Sequence, residues 1–282
     1  MEQFLKLKEV KLPEQRSKEW YEMRSRMITA SDFGTAIGWN KYEKPEGLIA
    51  KKVGKEKPFK GNLATQWGTK YEEVATMIYQ ELNSVKVHEF GCMPHPTINF
   101  LGASPDGITE EGIMLEIKCP MSREINGIIP MYYWVQMQGQ LEVCNLEQCD
   151  FLECKLCEYK SLEDYLGDNC RFKGIVAEYT DGERPRFKYS SFRATELDTT
   201  SEWKFINLKY WKLEKMNCVP VMRNRKWFHE YALPRLAEIW NKILYYREHP
   251  DEWKINIGAE IVDVDDAADT MYSNKFIALD FS

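Results

Sequence analysis

Three side chains suited to phosphodiester chemistry crowd into the stretch LGASPDGITEEGIMLEIKCP: Asp106, Glu116 and Lys118. In its second half Ile113, Leu115 and Ile117 alternate with Met114, Glu116 and Lys118, the period of a β-strand. Glu116 and Lys118 therefore share one face, and the opposite face is apolar. If the preceding extended segment returns through the turn at Thr109 to Glu111, Asp106 falls opposite Glu116, where cross-strand Cβ atoms lie about 4.5 to 5.5 Å apart. Two carboxylates at that separation can share a hard divalent cation such as Mg²⁺, which polarises a phosphate and acidifies a bound water. Lys118 would orient the water or neutralise charge building on the phosphorane. Taken alone, the spacing D-x₉-E-x-K is loose, and a solvated hairpin with a polar outer face accounts for it equally well.

Other candidates gain weight only in company. Glu72, in GTKYEE, lies at the edge of an apolar helix face in line with Gly68, Ala75 and Tyr79, whereas Glu73 is expected to point outward. A glutamate on a helix flank is more often simply solvated. Gln136 and Gln140 stack at i, i+4 on a helix that also carries Tyr132, Tyr133 and Trp134. Amides beside aromatics suit the wall of a polar site, and an ordinary surface stripe fits the spacing as well.

The elements that must position these residues are legible in outline. Helices are expected over Glu14 to Ser25, from Thr29 or Ser31 to near Gly38, from Pro45, and over Asn62 to Asn83. In the long one, Leu63, Trp67, Tyr71, Val74, Ile78 and Leu82 recur at helical spacing. Extended segments follow at Val85 to Phe90, Asn99 to Ala103 and Ile113 to Lys118, the last two expected to pair through a turn containing Gly107, Thr109, Glu110 and Gly112. A helix over Met131 to Val143, a strand around Asp150 to Tyr159 and a hairpin over Gly174 to Tyr189 complete the mixed region, with Asp181-Gly182 as the hairpin's turn. The C-terminal third reads as helical, with Leu236, Ile239, Trp240, Ile243 and Leu244 as a buried stripe. The expected architecture is one α/β (α+β) domain: a mixed core over 1–192, a helical part over 193–258 packed on it, and an acidic tail over 259–282.

The 282 residues, 44% hydrophobic and 13% aromatic, suffice for a sizeable core. No apolar run approaches a membrane span, and MEQFLKLKEV lacks a signal-peptide core, so a soluble intracellular protein of cytoplasm or nucleus is expected. The eight cysteines then read as reduced thiols. Cys154 and Cys157, three apart on an expected strand, point to opposite faces and make a poor metal pair. His88 and His95 have no ligand partner at a recognised spacing, and no Gly-rich phosphate cradle is present. The formal net charge of −6 does not by itself suggest a nucleic-acid partner. Lys41, Lys44, Lys51, Lys52, Lys55, Lys57 and Lys60 nevertheless crowd one segment, which fits a solvated helix face or a phosphate track equally. Glu260, Asp263, Asp265, Asp266 and Asp269 make the end of the chain acidic.

Five blocks, MRSRMITASDFG, WGTKYEE, ASPDG, LEIKCP and WVQMQGQL, occur in an order and at distances that resemble the lambda-exonuclease and YqaJ-type viral recombinase family of PD-(D/E)XK nucleases. The resemblance covers about Ser17 to Phe192. It implies a restriction-endonuclease-like core, with a central mixed sheet flanked by helices. It also implies that Asp106, Glu116 and the Ile117 carbonyl bind a catalytic Mg²⁺, for which Mn²⁺ can substitute, and that Glu72 serves a second ion. Lys118 becomes the active-site lysine, and Gln136 helps hold the attacking water. Arg24, Ser31 and Ser104 would grip the 5′-phosphate of a DNA end.

The reading that follows is a metal-dependent deoxyribonuclease, a 5′-to-3′ exonuclease resecting linear duplex ends for recombination or repair. A structure-selective or sequence-specific endonuclease on the same core and a non-catalytic DNA-binding scaffold remain open alternatives. Expected partners are double-stranded DNA ends, a single-strand annealing protein and further copies of the chain, with no membrane. Sequence after Phe192 exceeds the compact phage enzymes and leaves the family's trimeric ring in question.

Overall fold

A computed structural model describes residues 2–13, 17–55 and 62–253. The start of the first expected helix (14–16), Lys57, Lys60 and the acidic tail lie outside the described residues.

In chain order the elements are α1 (Glu2–Lys8), α2 (Lys18–Ser25), β1 (Ile28–Thr29), α3 (Ala30–Ala36), α4 (Pro45–Lys52), α5 (Leu63–Asn83), β2 (Val87–His88), β3 (Met93–Pro94), β4 (Leu101–Ala103), β5 (Gly107–Thr109) and β6 (Ile113–Lys118). They continue with α6 (Met131–Cys144), β7 (Gln148–Glu158), α7 (Leu162–Gly167), β8 (Lys173–Thr180), β9 (Pro185–Tyr189), β10 (Lys204–Met222), α8 (Arg225–Trp227), a π-helical turn (Phe228–Ala232) and α9 (Leu233–Glu248). Local chemistry sets several starts. The Ser17 side chain accepts the N–H of Trp20 and caps α2, and Asn62 and Thr65 exchange side-chain and backbone hydrogen bonds at 2.9 and 2.8 Å to cap α5.

A seven-stranded sheet runs in the order β2-β5-β6-β7-β10-β8-β9. β6 and β7 are parallel, joined by the crossover helix α6, and the sheet's other pairs are antiparallel. One face receives α5: Tyr71, Val74, Ala75 and Ile78 pack on Leu115, Ile117, Leu152 and Trp211. The other receives α6 through Met137 and Leu141 against Met114 and Phe151. Each fully buried large apolar side chain contributes about 1.5–3 kcal/mol, so these two layers lock β6 between them. Leu63 and Leu82, expected in the α5 stripe, are exposed because they lie at the helix ends, beyond the sheet.

Two expectations about the strands change. The strand Leu101–Ala103 does not pair with Ile113–Lys118; it joins a separate three-stranded sheet, β1-β4-β3, parallel to Ile28–Thr29. Pro105 lacks the N–H a ladder needs, so the extended run breaks there and the shorter β5 becomes the hairpin partner of β6. The C-terminal third is not helical throughout either. Lys204–Met222 is a 19-residue strand seated between β7 and β8, inside the sheet. Register shifts at Phe205/Asn207 and Leu213/Lys215 interrupt its two-residue alternation, which hides it from a periodicity reading. Residues beyond 192 therefore complete the sheet with a strand before adding the expected helices, and Gln138 of α6 fastens the junction by donating to the Met222 carbonyl and accepting the Asn224 N–H.

Candidate active site

β6 delivers Glu116 to the α6 side of the sheet with no solvent exposure, which rules out the solvated-hairpin reading. Gln136 and Gln140, one helical turn apart on α6, each donate to a different oxygen of that carboxylate, at 2.8 and 2.7 Å. The Lys118 ammonium also donates to Glu116 and stands 4.8 Å from the centre of the Tyr133 ring. Gln140 leaves its own buried carbonyl oxygen unpartnered, a cost accepted where its amide holds a buried charge.

Asp106 precedes β5, one step past the Gly107–Leu115 pair, so it comes opposite Glu116 as the alternation implies. There β6 has outrun its partner strand, and the Asp106 carboxylate takes the place of the missing ladder by accepting the Ile117 N–H at 2.7 Å. A strand residue sends its N–H and C=O to the same side, so the Ile117 carbonyl opens on that same edge. Asp106 also lines a cavity of about 170 Å³ with Glu72, Glu73, Thr76, Gln80, Val87 and Glu89. Glu73 thus departs from its expected outward direction. Burial, Glu89 and Glu72 push its carboxyl pKa up.

The electrostatics are those of crowded acids. Burial, then the charges of Glu116 and Glu72, hold the Asp106 carboxyl well above the ordinary carboxylate range, with Lys118 and the Ile117 N–H opposing. Burial works against a charged Lys118, yet Glu116, Tyr133 and Asp106 together keep it protonated. Among the described residues no three His, Cys, Asp or Glu side chains converge as a ready-made ion cage. The donor set still fits a hard divalent cation in its chemistry: it is all oxygen, it carries excess negative charge, and its Asp106 carboxyl is destabilised in the ionised form that a cation would favour.

A second group assembles from three separate segments. Arg24 at the end of α2 donates to Ser104 Oγ and to Ser31 Oγ, both at 3.1 Å, and its guanidinium lies over Trp20 at 4.5 Å. Ser104 is two residues from Asp106, and α3, which bears Ser31, packs directly on α6. A Cβ on Gly139 would stand 2.5 Å from the Phe33 ring, and one on Gly34 would stand 3.1 Å from Tyr132 Cβ, so both glycines permit the close approach. The two groups are neighbours in the fold. Sequence reading assigns Gln136, through the family resemblance, a role in holding the attacking water and Gln140 only a place as its stacked companion, so the grip of both amides on Glu116 is new here. Sequence reading also missed the Lys52–Asp32 pair beside Arg24 (3.0 Å), which joins residues too far apart for a spacing rule to detect.

The remaining candidates settle elsewhere. His88 bonds Glu110 at 2.9 Å, and His95 Nδ1 accepts the N–H groups of Thr97 and Ile98. All eight cysteines are free thiols, with Cys154 buried and Cys157 half-buried. No helix among the described residues is long and apolar enough to cross a membrane.

Residues 19–147 match the YqaJ-like viral recombinase domain, in agreement with the family resemblance of the five blocks. An uncharacterised protein of Acanthamoeba polyphaga mimivirus is 30% identical over 87% of this chain and 55% of its own length. A protein of African swine fever virus is 27% identical over 46% of each. This chain thus spans about half the length of these viral relatives. Among solved structures, an alkaline exonuclease from Laribacter hongkongensis superposes with a TM-score of 0.54 at 20% identity, over 83% of this chain and 96% of that one. Its complex with dAMP superposes at 0.52 with 22% identity, covering 83% and 98%. The fold is mixed α+β, a central sheet flanked by helices, and it is the fold of that alkaline exonuclease structure.

Proposed function

We propose, for a chain whose residues 19–147 match the YqaJ-like viral recombinase domain, that it is a metal-dependent deoxyribonuclease degrading linear duplex DNA from 5′-phosphorylated ends. The observation that carries this reading is the adjacency of two complementary groups. One is acid-rich, built from Asp106, Glu116 and Lys118; the other is the Arg24–Ser31–Ser104 set, which presents a cation and two hydroxyls. The first suits a cation and the second an anion, and a DNA terminus approached by a metal ion presents both.

Asp106, Glu116 and the Ile117 carbonyl would hold Mg²⁺ or Mn²⁺, with Glu72 beside them for a second ion. A bound ion of this kind acidifies water and withdraws charge from a phosphate. The chain's own residues do the rest. Gln136 and Gln140 fix both oxygens of Glu116 so that the carboxylate cannot rotate away. Gln136, nearer the rim than the buried Gln140, is the amide suited to position the attacking water. Lys118 stays protonated, so it serves as a donor and counter-charge for the phosphorane rather than as a base. The Arg24 guanidinium offers charge-assisted hydrogen bonds to a terminal phosphate, with the two serine hydroxyls completing the grip. This end recognition supports 5′-to-3′ polarity, and hence resection in recombination or repair. Double-stranded ends are the partner the site itself implies; an annealing protein and self-assembly come from the family resemblance of the five blocks.

Incubation with Mg²⁺ and end-labelled linear or closed circular duplexes tests the proposal. Loss of linear DNA alone, release of label from 5′-labelled ends first, and arrest by EDTA are expected. Cleavage of circles at a comparable rate would instead indicate an endonuclease, and undiminished cleavage after thorough metal removal would exclude the carboxylate site.

A further inference from the structure

Arg24 has an acid close by that could disable it. Asp32, at the first turn of α3, feels the Arg24 charge, yet its Oδ2 is occupied by Lys52 at 3.0 Å, by the Thr29 hydroxyl at 3.0 Å and by the Thr29 N–H at 3.3 Å. Lys52, the last residue of α4, is mostly buried, and its ammonium also donates to the Arg24 carbonyl at 3.1 Å. One ammonium therefore tethers the Arg24 backbone and neutralises the carboxylate that competes for the Arg24 side chain. The arrangement is braced from the C-terminal helix. Arg247 of α9 donates to the Ser25 carbonyl at 2.8 Å and to the Lys52 carbonyl at 2.9 and 3.2 Å, tying together the ends of the two helices that carry Arg24 and Lys52. Both carbonyls are helix C-terminal groups, where a cation is favoured.

From this geometry we infer that Lys52 is a positioning residue for end recognition: by pairing with Asp32 it keeps the Arg24 guanidinium available to a phosphate. The inference rests on the 5′-phosphate reading of Arg24, Ser31 and Ser104. Without Lys52, the Asp32 carboxylate turns to the guanidinium, the strongest remaining cation in reach, and an incoming phosphate meets an arginine already paired. A direct phosphate-binding role for Lys52 predicts the same loss in a single variant but a different response when Asp32 is neutralised as well.

The experiment measures the ratio of single-turnover rates on matched duplexes with a 5′-phosphate or a 5′-hydroxyl, for the full chain with Mg²⁺. In Lys52→Gln the ratio is expected to fall roughly tenfold, the scale of one lost charge-assisted hydrogen bond. In Asp32→Asn/Lys52→Gln, which keeps an acceptor oxygen for Thr29 but removes the competing charge, the ratio should return to within about threefold of wild type, a residue of weaker positioning. Lys52→Arg should likewise keep most of the preference. An unchanged ratio in Lys52→Gln overturns the inference, and so does a double variant as impaired as the single one. If Lys52→Gln fails to fold, the double variant decides alone, since a folded double variant without preference is contrary to the mechanism. A wild type indifferent to the end group instead rejects the phosphate reading beneath it, a result distinct from both.

Discussion

The two halves of the candidate site are built on opposite electrostatic plans. Around Asp106, acids gather faster than cations compensate: Glu116 and Glu72 both raise its pKa, and Lys118 is already engaged with Glu116. Around Arg24, two cations face one acid, and Lys52 satisfies Asp32 so that the guanidinium is left with neutral hydroxyl partners. The first half stores repulsion that a cation relieves, and the second stores unspent positive charge that an anion takes up. They also differ in construction. The acid half comes largely from the contiguous β5-β6-α6 unit, whereas the arginine half needs α2, α3, the segment before β5, α4 and α9. A site whose parts come from one supersecondary unit keeps its geometry when distant contacts are lost. A site assembled from five segments does not.

The largest expected effect breaks the acid half. Lys118→Ala removes the counter-charge proposed to stand beside the scissile phosphate while both acids remain, so single-turnover cleavage should fall by about 10² to 10⁴, some 3 to 5 kcal/mol of transition-state stabilisation. Glu116→Gln should abolish turnover. Filter binding of the same labelled duplex should change little for Lys118→Ala, and a variant cutting at the wild-type rate would disprove the catalytic role.

Breaking the arginine half is expected to do less to rate and more to choice. Arg24→Ala should reduce the preference for a phosphorylated over a hydroxyl end by roughly 10 to 150-fold, matching a charge-assisted contact of about 1.5 to 3 kcal/mol. Competition between the two duplexes in one reaction measures it, and retention of the full preference would remove Arg24 from the pocket.

The smallest effect sharpens the contrast through stability. Asp106 has a folded pKa above its ordinary value, so its contribution to metal-free stability is fully present below the unfolded carboxylate pKa and is lost as pH rises through the raised folded one. Asp106→Asn keeps an acceptor for the Ile117 N–H and removes the repulsion. It should stabilise the metal-free protein near neutral pH by about 1 kcal/mol, or roughly 2–4 °C in Tm. Mg²⁺ should raise the wild-type Tm more at pH 8 than at pH 5, because protons compete for its ligands, and should lose most of that effect in the variant. A variant less stable than wild type across this range would show that Asp106 is structurally favourable rather than strained.

Sequence alone determined the chemistry-bearing unit, because its geometry is local. The alternation of Ile113 to Lys118 places Glu116 and Lys118 on one face, a short turn brings Asp106 opposite, and the i, i+4 spacing of Gln136 and Gln140 aims both amides one way. The span of α5 followed from the helical recurrence of Trp67, Tyr71, Val74 and Ile78 for the same reason. The five sequence blocks added Arg24, Ser31 and Ser104, a grouping that no periodicity could supply. Only the tertiary structure decided the rest. Burial of Glu116 depends on α6 closing over β6, and the cavity that Glu73 lines exists only because Asp106, Val87 and Glu89 come together beside α5. The central place of β10 depends on strand partners distant in the chain, with bulges that erase its alternating pattern. The link from Arg247 through Lys52 to Arg24 joins residues up to 222 positions apart, and a hydrogen bond across that separation leaves no mark in local spacing.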